Sequence, residues 1–116
     1  MKRRFRLRRS TDFLRVRRLG KSYAHPLVVL IALPNDLKTS RFAVAAGRSL
    51  GNAVRRNRAK RLLRESLRPL IPFIVPGWDI LLFARQPLSL SGFEEASQAV
   101  QSLLSRAQLL NRYQDE

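Results

Sequence analysis

The chain has 116 residues, 45% of them hydrophobic, with no cysteine and a formal net charge of +15. That length holds one core, hence one domain over residues 1–116, and the apolar share is that of a globular chain rather than a disordered one. The lack of Cys excludes disulfide and thiolate chemistry and fits a reducing compartment, with the cytoplasm expected. The basic N-terminus is not followed by an apolar stretch, and the longest apolar run, residues 27–33, is too short for a bilayer, so neither secretion nor membrane insertion is expected.

Ser10-Thr11-Asp12 offers an N-cap, Phe13, Leu14 and Val16 follow at helical spacing, and Gly20 is placed to stop a helix over Ser10–Leu19. Residues 27–33 are apolar and rich in β-branched side chains, Pro34-Asn35-Asp36 ends them, and residues 41–47 resume extended character. The two runs predict an antiparallel hairpin, preceded by a short strand near Tyr23. Leu50-Gly51-Asn52 breaks this pattern, and Asn52 can cap a helix over Ala53–Leu67, with Pro69 and Pro72 just beyond. After a Pro76-Gly77 turn, Trp78–Ala84 reads as a strand buried on both faces and central in its sheet. Ser91 and Glu94 have capping-box spacing, and Phe93, Ala96, Val100, Leu103, Leu104 and Ala107 trace a stripe expected to be core. The chain beyond Arg112 is expected to fray. The order α-β-β-(β)-α-β-α is that of an α+β domain with helices against a sheet.

The charge is unevenly placed. Residues 1–64 carry 19 Lys and Arg against two Asp, a net of +17, whereas residues 65–116 carry four against six, a net of −2. The first half therefore calls for a polyanionic partner, with nucleic acid ahead of an anionic membrane surface. Within the predicted Ala53–Leu67 helix, Ala59, Leu62, Leu63 and Leu67 fall on one side, while Asn57, Lys60, Arg61 and Arg64 recur on the other. A solvated charged face would interleave acids, yet Glu65 is the only one between Asn52 and Pro69. Arg55, Arg56 and Arg58 also crowd the first turns, where the helix dipole disfavours cations but free N–H groups favour phosphate. An external polyanion resolves that conflict. Arginine forks grip phosphate oxygens, and Asn57 can read a base edge or ribose hydroxyl.

Arg56-Asn57-Arg58 with Lys60-Arg61 and Arg64-Glu65, after Gly51-Asn52-Ala53-Val54, resembles the signature of the bacterial ribonuclease P protein family. The likeness extends to Phe13, Val16, Gly20, Arg41, and Gly77-Trp78-Asp79 through Arg85. The resemblance implies a two-layer α-β-β-β-α-β-α sandwich, similar to a small-subunit ribosomal-protein-like domain, with an unusual left-handed crossover through the basic helix. It implies that Arg55, Arg56, Asn57, Arg58, Lys60, Arg61 and Arg64 dock on the catalytic RNA. It implies as well a cleft holding the 5′ leader of precursor tRNA, at Phe13, Val16, Arg17 and Ile31. Phe13 would stack on a leader base there, although its spacing equally suits a core aromatic. Arg17 stands where many relatives have a second aromatic, Ile31 where some have Tyr, and Arg48-Ser49 where Lys-Lys is commoner.

No protein-borne active site is legible. The eight acids are scattered, and the single histidine, His25, has no obvious base or nucleophile partner, so a surface role is expected for it. The resemblance implies Mg²⁺ held mainly by RNA, with ribonuclease P RNA and precursor tRNA as partners and no protein partner. Two other readings share the composition: a ribosomal or other structural RNA-binding protein, and a self-sufficient RNase.

Overall fold

The computed structural model describes residues 5–111. The fraying expected beyond Arg112 falls outside them. In chain order the elements are helix α1 (Ser10–Leu19), strands β1 (Lys21–Ala24), β2 (Val28–Pro34) and β3 (Arg41–Ala46), helix α2 (Ala53–Leu67), strand β4 (Trp78–Ala84) and helix α3 (Phe93–Arg106). No helix among them is long and apolar enough to cross a membrane.

The strands form one sheet in the order β1-β2-β4-β3, with β4 antiparallel to β2 and parallel to β3. The predicted hairpin between residues 27–33 and 41–47 is therefore corrected: β4 lies between those runs, and the hairpin partner of β2 is β1, with Tyr23 opposite Leu30. An apolar pattern says which face of a strand is covered, but not which strand lies beside it. Ile80, Leu81 and Leu82 are fully enclosed, and their strand takes the central place that its composition predicts. The chain travels from β3 to its parallel neighbour β4 through α2.

Alternation along the strands divides the core. Val28, Leu30, Phe42, Ile80 and Leu82 pack with Ala59, Leu63 and Leu67 of α2 and Val100, Leu103 and Leu104 of α3. On the opposite face Ile31 and Leu81 meet Leu7 and Val16, with Phe13, Val29, Leu33, Ala43 and Phe83 partly buried around them. The sheet with α2 and α3 is the expected sandwich, and α1 lies across part of the second face. Both faces being covered, β2 and, after Asp79, β4 are apolar at successive positions rather than alternating.

Local chemistry sets the helix ends. Asn52 caps α2 as expected, its side chain accepting from Arg55 N at 3.0 Å. For α1 the cap position is Arg9, without a side-chain cap, rather than Ser10. The backbone there is already committed, because Leu7 N donates to Phe42 O at 2.7 Å just upstream. The capping of α3 is shifted by one residue from the Ser91/Glu94 reading and keeps only the glutamate half of the box: Glu95 Oε1 accepts from Gly92 N at 2.8 Å, while Ser91 Oγ donates to Pro87 O. Phe93 thereby leaves the expected core stripe and is 49% exposed. Gly20 ends α1 in extended conformation, and it is needed for space rather than for freedom. A Cβ there would sit 2.6 Å from Val16 O and 2.7 Å from Ile31 Cγ2.

One polar cluster is buried in this frame. Asp79, on β4, is fully enclosed and lies in register with Arg41 on β3. Arg41 donates through Nε to Asp79 Oδ1 at 2.9 Å and through Nη2 to Oδ2 at 2.7 Å. Asn35 Nδ2 adds 2.9 Å to Oδ1, and Arg15 Nη2, from α1, adds 3.2 Å to Oδ2. Asp12 faces both Arg41 and Arg15, at 3.5 and 3.6 Å. The hydrogen bond to Asp79 raises the Arg41 pKa above its ordinary value, so its contribution is complete throughout the neutral range and is lost only as pH rises through that raised value. Removing one partner of such a pair strands the other charge in the core. Arg41→Ala should lower unfolding stability by about 3–5 kcal/mol in urea titrations, with Arg41→Lys recovering only part because it lacks the planar fork. A loss below about 1 kcal/mol would show that the cluster does not hold the fold together.

Candidate nucleic-acid interface

The sheet-facing side of α2 is apolar, which turns its cations outward. Arg55, Asn57, Arg58, Arg61 and Arg64 are exposed, and Arg56 and Lys60 are partly so. No ion pair engages any of them among the described residues, all such pairs lying in the Asp12, Arg15, Arg41 and Asp79 cluster. Arg58 is the one with a fixed orientation: its Nη1 donates to Ser89 O at 2.8 Å, against the 3-10 segment Gln86–Leu90, leaving its other N–H groups available. The face thus combines several unneutralised cations on one rigid element with the free N–H groups of a helix start. Such a surface repels itself and is relieved by a polyanion.

The second face of the sheet carries a different surface. Phe13 on α1 meets Phe83 on β4 edge to face, centroids 6.0 Å apart and planes at 78°. The Arg17 guanidinium lies 5.1 Å from the Phe83 ring centroid. Together they make a partly exposed platform of two rings and a planar cation. Two of the expected cleft residues do not share it. Val16 is fully buried and Ile31 is 7% exposed, both packed with Leu7 and Leu81, so they form the floor beneath the platform rather than a surface open to a nucleotide. The cause is the close approach of α1 at Gly20, where the missing Cβ lets Ile31 fill the space. Phe83 was not among the residues expected here. Its signal was the alternation Asp79, Leu81, Phe83, which puts it on the α1 side of the sheet.

His25 serves a turn, its Nδ1 accepting from Leu27 N at 3.0 Å. No three His, Asp or Glu side chains gather into a metal-binding group among the described residues. The carboxylates of Asp12 and Asp79 both face the guanidinium groups of Arg15 and Arg41. Oxygens so engaged do not suit a divalent cation.

A sequence model of the Ribonuclease P family matches residues 1–108. The ribonuclease P protein component of Herpetosiphon aurantiacus is 42% identical over 109 residues, covering 94% of this chain and 89% of that protein. That of a Roseiflexus species is 43% identical over 111 residues, covering 95% and 91%. The solved RNase P protein of Staphylococcus aureus superposes with a TM-score of 0.83 at 29% identity, over 92% of this chain and 98% of that one. Matched over most of its length by the family's sequence model, its relatives and a solved structure, the chain belongs to the bacterial ribonuclease P protein family, protein subunits of the endoribonuclease that matures the 5′ end of tRNA and in which RNA carries the catalysis.

Proposed function

We propose that the two faces of the sheet serve two RNAs: the α2 cations dock on ribonuclease P RNA, and the Phe13, Arg17 and Phe83 platform receives the single-stranded 5′ leader of precursor tRNA. The observation that carries this reading is the run of cations on α2 without an ion-pair partner among the described residues. Arg55, Arg56, Arg58, Lys60, Arg61 and Arg64 supply charge, and Asn57 supplies an amide that both donates and accepts. The platform suits unstacked bases of any sequence, because every base has a π-face and Arg17 adds a cation above the ring.

Mg²⁺ belongs in this reading to the RNA, since the carboxylates of the cluster are committed to arginines. The protein then acts by neutralising phosphates, so its help is greatest when divalent ions are scarce. The cytoplasm is the proposed compartment, in keeping with a chain without Cys. Family membership sets aside the ribosomal reading.

If Arg56, Arg58, Lys60, Arg61 and Arg64 all meet phosphates, log affinity for ribonuclease P RNA should fall with log salt at a slope of roughly −3.5 to −4.5. Combining Arg56→Ala, Lys60→Ala and Arg61→Ala should make that slope shallower by roughly 2 to 3. A wild-type slope near −1 would mean the face stays solvated. The platform is tested by Phe13→Leu, which keeps apolar volume and removes the ring. The reconstituted holoenzyme should bind leader-bearing precursor about tenfold more weakly, as expected for one lost stacking contact, while mature tRNA binding stays unchanged. Equal losses on both, or none on either, would contradict leader stacking.

A further inference from the structure

Leu7 anchors the N-terminal segment. It is 6% exposed in the cluster beneath α1, and its N–H donates to Phe42 O at 2.7 Å. Arg6 forms an isolated parallel bridge with Phe42, so the segment runs beside β3, which is otherwise the edge of the sheet. Alternation about the buried Leu7 then sends Arg6 and Arg8 to one common side.

That side is not empty surface. Arg6, Arg8 and Arg64 of α2 line one cavity of about 150 Å³, floored by Phe42, Ala43 and Val44. All three arginines are exposed, and none pairs with a carboxylate among the described residues. Three like charges around a small concavity repel one another, and their forks are built to grip phosphate oxygens. Nothing in the fold requires Arg at positions 6 and 8, because the anchoring is done by Leu7 and by backbone.

We infer that Arg6, Arg8 and Arg64 form a cradle for one phosphodiester group of RNA, at the sheet edge that separates the α2 face from the α1 platform. Through Arg64 the cradle extends the basic face of α2 to the β3 edge. Its phosphate comes from the precursor leader or from the catalytic RNA; the chemistry of recognition is the same. The inference rests on the reading of α2 as an RNA-docking face, because Arg64 belongs to both.

The test is the double variant Arg6→Ala/Arg8→Ala in the full chain, beside Arg6→Lys/Arg8→Lys, with thermal unfolding of each recorded. Two titrations against salt are needed: protein with ribonuclease P RNA, and reconstituted holoenzyme with precursor or mature tRNA. A leader phosphate predicts about tenfold weaker precursor binding by the alanine variant, with mature tRNA and catalytic RNA unaffected. A catalytic-RNA phosphate predicts the loss in the first titration instead. In either case the salt slope becomes shallower by roughly 0.7 to 0.9, and the lysine variant restores the slope but only part of the affinity. Unchanged affinities and slopes in both titrations overturn the cradle, as does a loss that tracks a fall in unfolding temperature and is not relieved by lysine. Loss of binding by the α2 variant with none by the Arg6/Arg8 variant removes the cradle alone, whereas retention by the α2 variant removes the docking reading itself.

Discussion

The Asp79–Arg41 pair is the constraint on which the working surfaces depend. Asp79 is the one charged side chain in the core among the described residues, and it receives donors from β3, from the turn after β2 and from α1. A buried ion pair contributes little net stability over an apolar pair of similar size, and its best-attested value is specification. Here it specifies two things. It locks Arg41 opposite Asp79 in the parallel β3/β4 ladder, where a slip of one residue would turn Phe83 from the platform side to the helix side. Through Arg15 it also fixes where α1 rests on the sheet, and so the spacing of Phe13 and Arg17 over Phe83.

From that frame follows a division of labour by face. The apolar side of α2 is consumed by the sheet and α3, which leaves its cations no direction but outward. The α1 face is only partly covered, which leaves rings and a guanidinium accessible above a closed floor of Val16, Ile31 and Leu81. One surface suits a folded polyanion held by charge, the other a flexible strand held by stacking. A subunit that leaves catalysis to RNA needs little else: cations, a platform and a sheet stiff enough to hold them in register.

Much of this was legible in the residues. Helix α2 was placed at Ala53–Leu67 with its Asn52 cap because the cap, the apolar stripe and the terminating prolines all agree. The central place of β4 followed from its run Ile80 to Ala84, apolar on both faces. The neighbour of β2 was not legible, because Val28 to Leu33 is apolar throughout and would suit either β3 or β4; only three-dimensional closure decides. The cap of α3 moved from Ser91 to Gly92 because adjacent Glu94 and Glu95 offer the same chemistry in two registers. At the site, the outward side of α2 was readable from periodicity, whereas the fate of Val16 and Ile31 hung on a glycine contact that spacing does not reveal. Asp79 and Arg41 were each conspicuous, but a separation of 38 positions along the chain hid their pairing.

The most direct measurement is 5′-end cleavage of labelled precursor tRNA by ribonuclease P RNA plus this protein, followed across Mg²⁺ concentration, with each macromolecule omitted in turn. A protein that neutralises phosphates for a catalytic RNA predicts cleavage at low Mg²⁺ only when both are present, and stimulation that fades as Mg²⁺ rises. Cleavage by the protein alone, or stimulation of equal size at every Mg²⁺ concentration, would contradict that account.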